Sequence, residues 1–140
     1  EMLDSAMIMT NRALAKDSDN VVYRFTKSTI LLNTGKYEEC IDICKDLIAK
    51  NDTLADVFYN IGLAYFNMAI ELDKVSQKHS RVKKKIIDNY SKSRPYMERY
   101  RQLMPDRADK WATVLYTIYL NLNMGKEFDE IDKLIKRKQL

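Results

Sequence analysis

An all-α solenoid of antiparallel helix hairpins is the fold class predicted by this 140-residue chain, on three observations. Similar stretches open at Val21, Ala55 and Ala108, at intervals of 34 and 53 residues, and a unit near 34 residues is the length of one stacked helical hairpin. Within each stretch apolar residues recur at helical spacing. A glycine turn, Thr34-Gly35-Lys36-Tyr37, is echoed at Met124-Gly125-Lys126-Glu127-Phe128. The longer interval exceeds the shorter by 19 residues, so the middle unit holds an insertion.

Met2 to Lys16 predicts a first helix, with Ala6 and Ala13 as small packing residues. It looks like the second half of a hairpin whose first half is missing, so the chain is expected to be a fragment of a longer one. Val21 to Asn33 and Tyr37 to Lys50 make the first complete hairpin, because Gly35 supplies the permissive backbone of a tight turn. Tyr37, Cys40, Ile41, Cys44, Leu47 and Ile48 form the inner stripe of its second helix, and Asn51-Asp52-Thr53 closes it.

Ala55 restarts the cycle with Phe58, Ile61, Gly62, Ala64, Tyr65 and Met68, where the small Gly62 lets a neighbouring helix come close. The partner helix arrives late: its stripe is Tyr96, Met97, Tyr100 and Leu103, and Met104-Pro105-Asp106 stops it. Trp111, Val114, Leu115, Ile118 and Leu122 lead to the second glycine turn, and Ile131, Leu134 and Ile135 finish the chain. One domain over 1–140 therefore divides into 1–20, 21–54, 55–107 and 108–140.

These residues resemble a tetratricopeptide repeat array. Thr34-Gly35-Lys36-Tyr37-Glu38-Glu39-Cys40-Ile41 is similar to that family's turn and second-helix start, with Cys40 in place of the usual alanine. Phe58-Tyr59-Asn60-Ile61-Gly62-Leu63-Ala64-Tyr65-Phe66 is similar to its first helix, and Pro105 and Trp111 stand where the family places a proline and a large aromatic. The resemblance implies about three and a half repeats, of the kind found in uncharacterised bacterial proteins, some of them exported. Lys27 replaces an expected leucine, Leu115 an expected small residue, and the third unit's first helix reads about one turn long, since Gly125 arrives three residues late. A degenerate last repeat suits an array that caps itself against water.

The 19 extra residues cannot extend one helix alone, because about 28 Å of added length would leave its partner unable to return. The insertion therefore doubles back, with an apex expected near Ser76 to Ser80, both arms projecting roughly 14 Å, and Leu72, Val75, Val82, Ile86 and Ile87 zipping them together. Pro95 either kinks the returning helix or divides it in two with Ser91 as a cap.

No run approaches the roughly 18 apolar residues of a membrane span, and Glu1-Met2-Leu3-Asp4-Ser5 lacks the form of a signal peptide. The reading is a soluble segment, cytoplasmic or exported. Catalysis finds no support: the single histidine, His79, has no cysteine or carboxylate at metal-ligand spacing, and the three glycines all serve the repeats. Cys40 and Cys44, one turn apart on an apolar stripe, read as core residues. No enzyme activity, cofactor or metal is expected.

The expected function is partner binding. In the resembled family the first helix of each repeat lines the concave face, which implies outward positions at Val22, Phe25, Thr29, Leu32 and Asn33, then Asp56, Tyr59, Leu63, Phe66 and Asn67, then Asp109, Ala112, Tyr116, Tyr119 and Leu120. A peptide or helix fits such an apolar, aromatic groove, with Tyr59, Leu63, Phe66, Tyr116 and Tyr119 as anchors. The carboxylate-holding positions of some family members fall on Phe25, Thr29, Asn60, Asp109 and Thr113; only Asn60 fits, and Asp109 repels a carboxylate.

Charge adds a second surface. The net charge is +4, yet Ala69 to Arg101 holds ten basic against four acidic residues. Lys78, Arg81, Lys83, Lys84 and Lys85 are the core of this basic insertion. A solvated helix face is the plainest reading; an acidic protein comes next, then nucleic acid or an anionic membrane. Nucleic acid is disfavoured because no aromatic is interleaved with the run, Tyr90 being the nearest. A structural subunit that self-associates through groove or convex surface is the remaining alternative.

Overall fold

A computed structural model describes residues 2–75 and 79–138. These form seven α-helices and no strand: α1 (Met2–Lys16), α2 (Val21–Asn33), α3 (Tyr37–Lys50), α4 (Ala55–Asp73), α5 (Ser80–Leu103), α6 (Ala108–Asn121) and α7 (Gly125–Lys138). The expected all-α class is therefore observed. Each helix packs on its neighbours in sequence, and α4 and α5 share the most extensive interface. In addition the backbones of α2 and α4, and of α4 and α6, come close, whereas those of α3, α5 and α7 do not approach one another. Close approach between next-but-one helices is thus confined to α2, α4 and α6.

Local chemistry sets the boundaries. Asn20 caps α2, its side-chain oxygen accepting from the Tyr23 N–H at 3.0 Å. After α2 the Lys36 N–H donates to the Leu31 carbonyl at 2.8 Å and the Gly35 N–H to the Leu32 carbonyl at 3.2 Å. That is the Schellman pattern, and Gly35 takes the left-handed conformation it requires, φ 79°.

The third hairpin repeats this turn in a different register. Met124 N–H donates to the Tyr119 carbonyl at 2.9 Å and Asn123 N–H to the Leu120 carbonyl at 3.3 Å, so Asn123, at φ 56°, occupies the place of Gly35. Gly125 is instead the first residue of α7. The expected glycine turn is thus an asparagine turn, since asparagine also tolerates the left-handed region. With 14 residues against 13, α6 exceeds α2 by a single residue rather than a turn.

Packing centres on α4. Phe58 and Ala69 belong to a core shared with α5, α6 and α7, while Val57, Ile61, Ala64 and Tyr65 belong to one shared with α2 and α3. At Gly62 the backbones of α4 and α5 meet: an added Cβ would lie 3.2 Å from the Met97 amide nitrogen, and Ser93 Oγ donates to the Gly62 carbonyl at 2.6 Å. Leu115, in the third unit, is fully buried, so a large residue is accommodated where a small one was expected. Trp111 is buried and anchored by its indole N–H to the Met104 carbonyl at 3.1 Å, with the Arg101 guanidinium 4.4 Å above its ring.

The insertion is a hairpin of lengthened helices. With 19 residues α4 outruns α2 by six, about 9 Å, and with 24 residues α5 outruns α3 by ten, about 15 Å. The part of the expected apex at 76–78 lies outside the described residues. Pro95 sits inside α5, which runs as one helix. Ser91 and Pro95 are both exposed, so the carbonyl that loses its donor lies on the water-facing side.

Only part of the expected zipper closes. Ile86 is buried and Leu72 and Val82 pack beside it, whereas Val75 and Ile87 are 45% and 41% exposed. The buried line of α5 runs Ile86, Asn89, Tyr90, Ser93, Met97, Tyr100; Ile87 falls one residue off it, on the side of Lys83 and Lys84.

Candidate functional site

Helices α2, α4 and α6 carry half-buried side chains at several of the expected groove positions. Phe25 and Thr29 of α2, Tyr59, Leu63, Phe66 and Asn67 of α4, and Tyr116 of α6 all keep part of their surface in water. At the N-terminal ends of α2 and α4 lies an apolar pocket of about 330 Å³ lined by Val21, Val22, Phe25, Thr53, Leu54, Ala55, Asp56, Val57 and Met104. Val22 is 68% exposed at its rim.

Other members of the sequence-derived groove are internal. Asn60 is buried, donating through Nδ2 to Ser28 Oγ at 3.1 Å and Thr29 Oγ1 at 3.0 Å, and so ties α4 to α2. Tyr119 is buried too, its hydroxyl donating to Glu98 Oε2 at 2.6 Å across the α5–α6 interface. Burial, then that carboxylate, raise its pKa. Leu32 and Ala112 are likewise buried, while Val22, Asn33, Asp56, Asp109 and Leu120 are exposed. Tyr119 was expected to face outward; the one-residue lengthening of α6 gives it the place of Leu31, which is also buried.

Tyr59, Phe66 and Tyr116 each pack against another aromatic ring. The Tyr59 ring lies 5.0 Å from that of Tyr100, Phe66 packs edge-on against Tyr90 at 5.9 Å, and Tyr116 meets Phe128 of α7 at 4.7 Å. Lys110 Nζ lies 4.9 Å above Tyr59. Burial chiefly, then Asp109, raise the Tyr59 pKa. Asp109 itself is held by two hydrogen bonds from Arg107, Nε and Nη2, both at 3.0 Å, which lower its carboxyl pKa. Its charge is therefore paired with the neighbouring guanidinium.

Leu54 and Met104 are pocket residues that sequence reasoning missed. Both sit in turns between helices. Leu54 occupies an N-cap position and makes no side-chain cap bond, where serine, threonine or aspartate is usual; an apolar residue at such a place was the available signal.

A second concavity, about 740 Å³, separates the α2–α3 turn from the lengthened hairpin. Lys36, Lys85 and Lys92 line it together with Glu38, Glu39, Glu71 and Asp88. The mixed charges favour no single ion, and Tyr37, whose hydroxyl donates to Glu71 Oε1 at 2.8 Å, braces it.

Of the basic insertion, Arg81, Lys83, Lys84 and Lys85 are exposed on the first two turns of α5, and Lys78 lies outside the described residues. Cys40 and Cys44 are fully buried and not bonded to each other by a disulfide; the Cys40 thiol pKa is raised, first by its hydrogen bond to Cys44 and then by burial. Among the described residues no group of histidine, cysteine and carboxylates is arranged to hold a metal, and no helix is long and apolar enough to cross a membrane. His79 is exposed at the start of α5.

No protein-family model matches this chain, and comparison with curated proteins finds no match.

Proposed function

We propose that this chain is a tetratricopeptide-type scaffold, a non-catalytic solenoid that holds a peptide or helix of another protein in the trough of α2, α4 and α6. The observation that carries the reading is the apolar pocket of about 330 Å³ at Val22, Phe25, Leu54, Val57 and Met104. Half-buried aromatics supported from beneath are rigid, so a ligand that covers them buries apolar area without ordering them afresh. The repeat assignment is supported by the recurrence of one Schellman turn after α2 and α6 and by contact among α2, α4 and α6 alone of the two helix sets.

The geometry favours the N-terminal half of the trough. Tyr116 and Tyr119 are engaged by α7 and α5, whereas Val22 and Phe25 border open pocket. Peptides selected from a random display library on the whole chain test this. Binders are expected to lose at least about tenfold in affinity on Val22→Asp and on Tyr59→Ala. Binders indifferent to both substitutions would sink the groove assignment.

A further inference from the structure

The apolar pocket at the start of α2 and α4 carries a single charge. Among the described residues that line it only Asp56 is ionisable, and apart from Thr53 the others are apolar. Asp56 belongs to the first turn of α4 and is exposed. Among the described residues it forms no ion pair. Two cations at the start of α6 are engaged elsewhere: Arg107 pairs with Asp109 at 3.0 Å, and Lys110 Nζ lies 4.9 Å from the centre of the Tyr59 ring. Neither of them lines the pocket.

This arrangement selects among partners by the sign of their charge. An uncapped helix N-terminus by itself favours an anion, and Leu54 makes no side-chain cap bond to α4. The Asp56 carboxylate already lies in that first turn, however, so a second carboxylate or a phosphate there meets like charge. The surrounding surface has the same sign. The pocket joins the start of α2 to the α3–α4 and α5–α6 turns, and residues 16–20, 51–54 and 104–107 hold Asp17, Asp19, Asp52 and Asp106 against Lys16 and Arg107. At about 330 Å³ the pocket is near the small end of ligand sites and takes an apolar side chain or two of a peptide. Lysine and arginine suit its rim, because their aliphatic stems pack on apolar surface while the charged head reaches a carboxylate. Resting on the groove reading above, we propose that the pocket binds peptide segments in which a lysine or arginine, set against Asp56, adjoins a large apolar residue seated among Val22, Phe25, Leu54 and Met104.

Peptides selected from a random display library on the whole chain test the proposal. The binders are expected to carry lysine or arginine beside a large apolar residue. Asp56→Asn is expected to weaken them about threefold, and Asp56→Lys at least about tenfold. Exchanging the peptide's basic residue for glutamate is expected to weaken binding to the unaltered chain and to recover it on Asp56→Lys. Glu130→Gln on α7 changes affinity by less than about twofold. Circular dichroism verifies the fold of each variant. Binders that are mainly acidic or uncharged overturn the proposal. Binders that lose affinity on Val22→Asp yet ignore Asp56→Lys overturn it alone, whereas binders that ignore Val22→Asp and Tyr59→Ala overturn the groove reading as well. A library that yields no binder overturns both. So does a dimer, seen by sedimentation, that Val22→Asp converts to monomer, since the occupant is then a second copy of the chain.

Discussion

Ser93 donates its hydroxyl hydrogen to the Gly62 carbonyl at 2.6 Å, in a place where a Cβ on residue 62 would crowd Met97, lying 3.2 Å from its amide nitrogen. This contact holds the two helices of the lengthened α4–α5 hairpin against each other. Both partners are small because a larger side chain at either position would push the helices apart.

Gly62→Ala is expected to destabilise the protein by about 1–2 kcal/mol, because overpacking against the Met97 backbone outweighs a helix-propensity gain of about 1 kcal/mol. Ser93→Ala, which removes only the hydrogen bond, is expected to cost about 1 kcal/mol. Urea unfolding measures both, and a more stable Gly62→Ala would contradict the close approach.

Asn60 is a structural cross-tie between α2 and α4. Asn60→Ala leaves the buried Ser28 oxygen and the half-buried Thr29 oxygen without this donor and is expected to cost about 1–3 kcal/mol. Because the side chain is buried, peptide affinity measured well below the lowered melting temperature is expected to change less than threefold. A larger loss without a loss of stability would return Asn60 to the binding surface.

The asparagine turn makes predictions of opposite sign at neighbouring positions. Asn123→Ala forces a Cβ-bearing residue without a compensating amide into φ 56° and is expected to cost about 1 kcal/mol, whereas Asn123→Gly is expected to be close to neutral. Gly125→Ala, with open space around the new Cβ and a helical backbone, is expected to stabilise by up to about 1 kcal/mol. The same change at Gly35, where φ is 79°, is expected to destabilise. Thermal melts of the four variants distinguish this register from one in which Gly125 is the turn.

Alkaline pH is expected to loosen the fold. Burial raises the pKa values of Tyr37, Tyr59, Tyr90, Tyr100 and Tyr119, with Glu71 and Glu98 adding to the effect on Tyr37 and Tyr119. A raised value means that the folded state holds the phenolic proton more tightly than the unfolded chain does. The stability involved is complete below about pH 10, the ordinary tyrosine value, and is lost as pH rises from there through the folded-state values. Melting temperature followed with phenolate absorbance should show these rings ionising as the helices melt, and Tyr119→Phe should make the decline shallower. An unchanged slope would refute the part assigned to Tyr119.

Much of the architecture was legible because its causes are local. The bounds of α2 and α3 follow from the Asn20 cap, the Gly35 turn and an unbroken 3.6-residue period, all within a few residues of one another. Gly62 was readable as a close contact from its place among large apolar residues. The trough was legible only through resemblance, and its boundaries shifted: Tyr119 went inward when α6 gained one residue, a rotation of about 100° that periodicity over two turns cannot resolve. The pocket wall at Leu54 and Met104 joins residues fifty positions apart in two turns, which no local pattern links.

The sequence by itself determined that this chain is helical, where most of its helices begin and end, and that its middle unit carries a basic excess, since capping, turn conformation and charge are properties of neighbouring residues. Only the tertiary structure decided that α5 runs unbroken through Pro95, that Ile87 faces water while Ile86 is buried, and that Asn123 rather than Gly125 makes the last turn. Those outcomes depend on which face of each helix meets another, and that is settled by packing between residues distant in the chain.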